Sequence, residues 1–373
     1  MEYGKATQEQ MKKKPLSKRK KRVILLSTVS GVLSIPLVVI PLLTIIIYES
    51  IFGARYETAS WLAFSAEDFE GLRVEACEFS SEDQTLAGYL YSGEAAGEAP
   101  KGVVILAHGM GGGGQNGYMP FANAFAQAGY LVFAYDATGN DQSEGDSVEG
   151  LPRGLIDLDN AINYLCGREE SDGLPLFLFG HSWGGYAVGT VLNLHPEVAG
   201  AVIVSGFNES EDLIRHQGEQ IVGGAVHLLA PYVSVYEALK FGDYAGLSAV
   251  DGMAQSNARI MIVHSRDDQT VPTEYGYDTF YEAFGDNDRF HFVLYEDRGH
   301  DSLFYSEEAR AYREELNAEY LAYVETHGGE HNAEIKTEFM SEYLDKQRCF
   351  EPDPDLMSQI LTMFEEARTQ GVR

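Results

Sequence analysis

The sequence predicts an α/β fold in which a mostly parallel sheet is covered by helices on both faces. Its candidate strands are apolar at every position, which is typical of strands that are buried on both sides. Segments of helical length lie between most of them, as crossover connections require. The predicted strands are Val103–Ala107, Leu131–Tyr135, Leu176–Phe179, Ala201–Ser205, Ile260–His264 and Phe290–Tyr295, and the helices include Pro120–Ala128, Leu155–Cys166 and Tyr186–Leu194.

The chain begins with a basic segment that is followed by an apolar one. Residues 1–22 contain nine Lys or Arg and two Glu, and residues 23–48 contain no charge. About 20 apolar residues are enough to cross a bilayer as a helix. We therefore predict a transmembrane helix over residues 23–48, kinked by Pro36 and Pro41. The positive-inside rule places residues 1–22 in the cytoplasm and the remaining body on the extracytoplasmic side of the cell membrane.

A cleaved signal peptide is the alternative interpretation of this apolar segment. The apolar region of a signal peptide is normally about half as long, and small residues surround its cleavage point. Phe52 before Ala54, and Glu57 before Ala59, interrupt such a pattern of small residues. These features favour an anchor that stays attached to the body.

The body that follows the apolar segment is strongly acidic. Of the 27 basic and 57 acidic residues in the chain, residues 23–373 keep 18 and 55, which gives a formal charge of −37. This charge repels nucleic acid and anionic membrane surfaces, so no nucleic-acid partner is expected. The three cysteines, Cys77, Cys166 and Cys349, lie far apart and do not form the pattern of a disulfide framework or a zinc site.

A hairpin precedes the buried strands, and a long insertion interrupts them. Leu72–Phe79 and Thr85–Tyr91 alternate in polarity around a loop of residues 80–84, which is typical of a β-hairpin. Residues 207–256 are too long for a single crossover helix. We predict that they form a helical cap over the site, with apolar faces at Ile221–Leu229 and Val233–Leu239.

A helical tail follows the body, which spans about residues 55–330. Ala333–Lys346 and Pro354–Ala367 are predicted to be amphipathic helices. Asp353 is the expected N-cap of the second helix, with Pro354 at its first position. We expect the tail, residues 331–373, to pack on the body or on a partner.

A serine lies in a glycine-flanked turn directly after one of the buried strands. Gly180-His181-Ser182-Trp183-Gly184 follows Leu176–Phe179 and precedes a predicted helix. The two glycines allow neighbouring backbones to pass closely, and the turn exposes the Ser182 hydroxyl at the strand end. Ligands of such sheets bind beyond the carboxyl ends of the strands. Ser182 is therefore a candidate nucleophile.

A serine hydroxyl is a poor nucleophile at neutral pH, so it needs a base within hydrogen-bond distance. The base should be a histidine in a loop after a late strand. His300 follows the last strand directly, whereas His291 is inside that strand and His327 and His331 belong to the tail. His300 is therefore the predicted base.

The base in turn needs an acid that fixes its orientation. The strand Ile260–His264 runs into a loop that contains Asp267 and Asp268. Adjacent side chains point in different directions, so only one of the two aspartates should face His300. The other is expected to cap the loop or to pair with Arg266.

Acyl transfer also needs two N–H donors that stabilise the developing oxyanion. The backbone amide of Trp183, directly after the serine, is one predicted donor. The glycine-rich loop after Val103–Ala107 supplies the other, and the amide of Met110 is the natural candidate. His108 and Gly109 support this loop, where glycine lets the backbone approach a substrate carbonyl.

The same loop also fits a dinucleotide-binding fingerprint. Gly109, Gly111 and Gly114 match Gly-x-Gly-x-x-Gly after a strand, and Asp136 lies 22 residues beyond the last of them. Residues 115–119, however, separate the glycines from the predicted helix. The preceding hairpin also means that this strand is not the first one, so the fingerprint is the weaker interpretation.

These motifs, in this order, resemble the α/β-hydrolase superfamily and are similar to those of its bacterial membrane-anchored serine aminopeptidase and lysophospholipase-like branch. In that branch the acid commonly stands three residues before a Val-Pro pair, which implies Asp268. Thr138 replaces a usual arginine, and a usual glycine is missing near Asp141. The motifs are His108-Gly109, Tyr135-Asp136-x-x-Gly139, Gly180-His181-Ser182-Trp183-Gly184-Gly185, Asp268-x-x-Val271-Pro272 and Gly299-His300, and the resemblance covers roughly residues 70–325.

The resemblance implies a membrane-tethered serine hydrolase that works through an acyl-enzyme intermediate. The expected substrate is a carboxylic ester or a lysolipid. Cleavage of an amide or peptide by the same residues, and a non-catalytic binding module on this fold, are the alternatives. No metal ion or organic cofactor is expected, because protein groups alone can carry this chemistry.

Overall fold

A single eight-stranded sheet forms the centre of the molecule. The computed structural model describes residues 17–94, 99–329 and 331–370. Its strands are β1 (Arg73–Ser81), β2 (Gln84–Ser92), β3 (Val103–Ala107), β4 (Leu131–Tyr135), β5 (Leu176–His181), β6 (Gly200–Val204), β7 (Arg259–Ser265) and β8 (Phe290–Tyr295). Their order is β1-β2-β4-β3-β5-β6-β7-β8, and β3 to β8 are parallel. This arrangement confirms the predicted α/β fold.

Helices cover both faces of this sheet. They are α1 (Lys18–Ser34), α2 (Ile40–Phe52), α3 (Met119–Gln127), α4 (Leu151–Cys166), α5 (Trp183–Val191), α6 (Ser210–Val222), α7 (Val226–Phe241), α8 (Ala249–Gln255), α9 (Tyr277–Phe284), α10 (Glu307–Thr326), α11 (Ala333–Tyr343), α12 (Lys346–Cys349) and α13 (Pro354–Gln370). One hydrophobic core contains residues of α4, α5, α8 and α9, and the other contains residues of α3 and α13.

The two cores explain why the strands read as continuous apolar runs. Val103 and Ile105 of β3 enter one core, while Val104 and Leu106 enter the other. All four side chains are at most 2% exposed. Because successive side chains of a strand point to opposite faces, a sheet buried on both sides needs an apolar residue at every position.

The hairpin has a tighter turn than the sequence suggested. β1 runs to Ser81 and β2 begins at Gln84, so Ser81 pairs with Gln84 and only Glu82 and Asp83 connect the strands. The predicted loop over residues 80–84 is therefore too long. A two-residue turn requires left-handed backbone, and Glu82 adopts it with a φ of 52°.

The apolar N-terminal segment is helical along its length. α1 continues through a π-helical turn at Ile35–Val39, which contains Pro36, into α2. A proline lacks the backbone N–H, and such local irregularities accommodate it. By length and composition, Ile35–Phe52 is apolar enough to cross a membrane, and so is the cap region Ser210–Gln255.

The cap consists of α6, α7 and α8, but its helices divide differently from the predicted faces. Gly223 has a φ of 59°, and a short 3₁₀ turn at Gly223–Ala225 separates α6 from α7. The predicted face Ile221–Leu229 therefore spans the end of one helix and the start of the next. A left-handed glycine ends a helix because no Cβ opposes that conformation.

The C-terminal tail completes the second core. Asp353 accepts hydrogen bonds from the amides of Asp355 and Leu356 and so caps α13, as predicted. Phe364 of α13 stacks on Phe177 of β5 at a ring distance of 4.4 Å. The other predicted helix is shorter than Ala333–Lys346, because α11 ends at Tyr343 and α12 begins at Lys346.

Candidate active site

Ser182 lies on a sharp turn between β5 and α5. Its backbone has φ 56° and ψ −114°, a conformation that residues other than glycine rarely adopt. A Cβ at Gly180 would come within 2.2 Å of the carbonyl oxygen of Gly184, and a Cβ at Gly184 within 2.1 Å of that of Ala107. Both positions therefore require glycine, and the strained turn presents the hydroxyl beyond the strand end.

His300 and Asp268 meet Ser182 at this edge of the sheet. The Ser182 Oγ lies 2.9 Å from the His300 Nε2, and the His300 Nδ1 lies 2.7 Å from the Asp268 Oδ2. Asp268 follows β7 and His300 follows β8, so the three groups come from the carboxyl ends of nearby parallel strands. A carboxylate can only accept, so the His300 Nδ1 donates and its Nε2 accepts from the serine.

The Asp268 carboxylate is buried and surrounded by donors. Its Oδ1 accepts from the amides of Thr270 and Val271, both at 2.9 Å, and its Oδ2 accepts from the Ser205 hydroxyl at 2.9 Å. Burial alone would raise the pKa of this carboxyl. The hydrogen bond and charge of His300 outweigh burial, so the pKa of Asp268 is lowered and the group stays ionised at neutral pH.

The neighbouring Asp267 has a different role in the fold. Its Oδ1 accepts from the Ser265 hydroxyl at 2.6 Å and from the Gly299 amide at 2.8 Å. It therefore ties the end of β7 to the loop that carries His300. The two aspartates point apart, as adjacent residues should.

The predicted oxyanion donors lie beside Ser182. Met110 and Trp183 both line the cavity that contains the serine. Among the described residues, no protein acceptor uses either backbone amide. His108 holds the loop from below: its Nε2 accepts from the Ala137 amide at 2.9 Å, so its Nδ1 donates to the carbonyl oxygen of Gly109 at 2.8 Å.

Comparison with known proteins finds similar sequences over parts of this chain. Residues 98–244 match the sequence model of a family described as serine aminopeptidase S33. The chain is 32% identical over 108 residues to a monoglyceride lipase of Homo sapiens, which covers 28% of this chain and 35% of that protein. It is 35% identical over 109 residues to a monoacylglycerol lipase of Mycolicibacterium smegmatis, which covers 29% and 38%.

A solved structure extends the likeness over most of the chain. An esterase from Pyrococcus furiosus superposes with a TM-score of 0.52 at 16% identity and covers 74% of this chain and 98% of its own. The chain has the α/β-hydrolase fold. The chain spans well under half the length of the curated relatives that it matches.

Two side chains next to the site, those of His181 and Tyr118, were not identified from the sequence. The His181 Nε2 donates to the carbonyl oxygen of His300 at 3.1 Å, and the Tyr118 hydroxyl donates to the His181 Nδ1 at 2.8 Å. Tyr118 in turn accepts from the Gly109 amide at 3.0 Å. Burial, with the nearby charge of His300, lowers the pKa of His181 to about 3. Through Tyr118, this neutral ring links Gly109 of the glycine-rich loop to the backbone of His300.

Several hydrogen bonds hold the loop in which the chain departs from the family pattern. The amide and hydroxyl of Thr138 donate to Asp157 at 2.8 and 2.9 Å. Asp141 accepts from the amide and hydroxyl of Thr58, both at 2.6 Å, and from the Gly114 amide at 2.8 Å. The departures at Thr138 and Asp141 thus fasten the loop and the segment after α2 to the glycine-rich loop.

Asp136 is unsuited to the ribose contact of the dinucleotide interpretation. It is 1% exposed, and its carboxylate accepts from the Gln115 amide and the Tyr89 hydroxyl. Burial raises the pKa of Asp136 to about 6. A Cβ at Gly114 would lie 2.0 Å from its Oδ1. The glycine therefore makes room for this buried carboxylate.

A cavity of about 770 Å³ opens above Ser182. This volume suits a drug-sized or lipid-sized ligand. Its walls are largely apolar and come from the segment around α2, the cap and the loop after His300. They include Phe52, Trp61, Phe207, Leu213, Ile214 and Phe304.

One group of potential metal ligands occurs among the described residues, and it belongs to the same site. His181, His300 and Asp301 place ligand atoms within 4.8 Å of one another. Both ring nitrogens of each histidine already have hydrogen-bond partners within the protein. A metal ion would have to displace those contacts.

Proposed function

We propose that the protein is a membrane-anchored serine hydrolase that cleaves a carboxylic ester through an acyl-enzyme. The observation that carries this proposal is the hydrogen-bonded series Ser182–His300–Asp268 at the edge of an apolar cavity. Nucleophile, base and orienting acid are thus aligned for proton transfer.

The geometry supports the following sequence of steps. His300 Nε2 accepts the Ser182 proton as Oγ attacks the ester carbonyl carbon, and the Met110 and Trp183 amides donate to the resulting oxyanion. The carbon–oxygen bond to the leaving alcohol breaks, and His300 gives that oxygen its proton. Water then attacks the acyl-enzyme, with His300 taking and returning a proton, and releases the carboxylic acid. Asp268 stabilises the imidazolium in both halves.

A single-chain ester suits this cavity best. Its walls are mainly apolar, and the relatives are named as lipases of monoacylglycerols. We therefore propose monoacylglycerols or lysolipids as the substrate class. Peptide or amide cleavage would use the same three groups, so amide substrates serve as the comparison in the assays below.

The membrane assignment rests on the N-terminal segment. Residues 23–48 are uncharged and helical, and basic residues precede them. We propose that this helix spans the cell membrane with residues 1–22 in the cytoplasm and the hydrolase domain outside. Fractionation of cells, with protease accessibility of the domain from either side, measures the location and the orientation.

Ser182→Ala is the direct test of the proposed nucleophile. The variant should lose covalent labelling by a fluorophosphonate probe and lose roughly 10³-fold or more of its esterase rate, because the attacking oxygen is gone. Ser358→Ala is the matched control, since this exposed serine lies on α13, away from the cavity. Labelling of folded Ser182→Ala at the wild-type level would refute the assignment.

A further inference from the structure

The last turn of α2 forms part of the wall of the catalytic cavity. Ile51 and Phe52 line the cavity that holds Ser182, opposite Ile214, Gly218 and Ile221 of α6. The helix α2, which includes the last residues of the apolar N-terminal segment, therefore contributes to the wall of the site. A helix that served only as a tether would not need to contact the cavity.

A narrow crevice of about 40 Å³ continues this wall between α2 and the cap. Five residues line both the cavity and the crevice, so the two spaces are neighbours on either side of these residues: Ile51, Phe52, Ile214, Gly218 and Ile221. Beyond them the crevice is bounded by Ile47 of α2 and by Val226 and Leu229 of α7. Apolar residues thus continue from the wall of the cavity that holds Ser182 along the side of α2.

Polar contacts fix α2 on the cap in one register. The Tyr48 hydroxyl donates to Glu237 at 2.8 Å, and both residues are only 2% exposed. The next residue, Glu49, accepts from the Tyr236 hydroxyl at 2.6 Å and from the Lys240 Nζ at 2.7 Å. Buried polar groups need matched partners, so these pairs hold the two helices at a defined position.

The outer sides of both elements are apolar and exposed. Leu42 and Ile46 of α2 are each 55% exposed, and Ile221 and Leu228 of the cap are each 65% exposed. Exposed apolar side chains grouped on neighbouring helices mark a surface that meets a membrane or a ligand. In the anchored protein, the crevice would open beside the hydrocarbon region.

We propose that α2 and α6 together form an acyl-chain subsite, through which a membrane-resident single-chain ester enters sideways from the bilayer. This inference rests on the proposed esterase function. Most of the acyl chain would lie in the cavity of about 770 Å³ along α2, with a short part in the crevice, while its ester carbonyl reaches Ser182. The formal charge of −37 on residues 23–373 favours a substrate with an uncharged headgroup, such as an acylglycerol, over an anionic lysolipid.

Substitution of Ile51 tests this subsite in the full-length protein, reconstituted in phosphatidylcholine vesicles. Ile51→Trp should close the narrow crevice, so the ratio of kcat/KM for p-nitrophenyl palmitate to that for p-nitrophenyl butyrate should fall at least tenfold. Ile46→Trp makes the same change on the outer side of α2, and its ratio should equal that of the wild type. Fluorophosphonate labelling of Ser182 verifies that each variant keeps a folded site.

A second variant provides the test if the larger side chain disturbs folding. Ile51→Ala removes contacts with a bound chain, so KM for the palmitate ester should rise several-fold while kcat changes little. Wild-type chain-length ratios in both Ile51 variants would overturn the subsite. Absence of ester hydrolysis by the wild type would instead overturn the proposed function, so the two failures are distinguishable.

Discussion

The reactive edge of the sheet and the wall formed by α2 and the cap are built in contrasting ways. Ser182, Asp268 and His300 lie on short loops after parallel strands, and hydrogen bonds within the protein hold these loops. The wall joins segments that are 189 residues apart, as in the pair Tyr48–Glu237. The proposed chemistry thus depends on neighbouring strand ends of one sheet, whereas the proposed substrate selection depends on packing between distant segments.

The largest expected effect separates the two adjacent aspartates of the reactive edge. Asp268→Asn should lower kcat by roughly 10³- to 10⁴-fold, because an amide cannot stabilise the imidazolium and disturbs the tautomer of His300. Asp267→Asn keeps an oxygen that can accept from Ser265 and Gly299, so its kcat should fall less than tenfold. Steady-state kinetics on a soluble p-nitrophenyl ester measure both.

Equal losses in the two variants would contradict the distinct roles of these aspartates. Fluorophosphonate labelling rates offer an independent reading, because they report the reactivity of Ser182 without turnover. The Asp268→Asn variant should label slowly, while Asp267→Asn should label nearly as fast as the wild type.

A middle-sized effect is expected where the two regions meet. Asp141 joins Thr58, in the segment after α2, to the Gly114 amide of the oxyanion loop. Asp141→Ala should lower kcat by about 10- to 100-fold with a small change in KM, because a misplaced oxyanion donor acts on the transition state.

Asp146→Ala is the matched control for this position, since Asp146 is an exposed residue of the same loop. It should keep kcat within about twofold of the wild type. A change confined to KM in Asp141→Ala would mean that this contact shapes substrate binding and leaves the oxyanion donors in place.

The smallest effect concerns stability on the face beneath the cap. His195 pairs with Asp159 and Glu197, both at 2.7 Å. Burial opposes its charged form, but the two acids outweigh burial and raise the pKa of His195 above its usual 6.5. The stabilisation is therefore complete below pH 6.5 and is lost as pH rises through the raised value.

His195→Gln should accordingly reduce the free energy of unfolding by about 1 kcal/mol at pH 6 and by less at pH 9. Urea denaturation at both pH values measures the difference. His227→Gln, at an exposed position of α7, is the control and should show no pH-dependent loss. A larger loss at pH 9 than at pH 6 would contradict this assignment.

The sequence was informative wherever a motif and a strand end coincide. The apolar runs predicted each parallel strand within one or two residues, and the mostly parallel fold is confirmed. Ser182 and His300 follow from their positions after strands, and the resemblance selected Asp268 over Asp267. The structure brings these three side chains within hydrogen-bond distance, while their catalytic roles remain predictions.

The side-chain contacts that the sequence did not predict form between residues that are far apart in the chain. Ser205 reaches Asp268 only because its backbone turns left-handed after β6, with φ 47°. Tyr118 lies in a short 3₁₀ turn that looked like a spacer between glycines and helix. No local sequence pattern predicts the hydrogen bond between Tyr48 and Glu237. Such pairs become visible only when packing brings their elements together.

The hydrogen bond between Tyr48 and Glu237 has a consequence for any proteolytic release of the domain into solution. A protease cut after Phe52 would remove the phenol and leave Glu237 with the Ser210 hydroxyl as its remaining hydrogen-bond donor in this pocket. It would also remove Ile51 and Phe52 from the wall of the cavity. Shedding would therefore damage the proposed site as well as release it, because the same turn of helix would serve both the proposed membrane anchor and the proposed acyl-chain subsite.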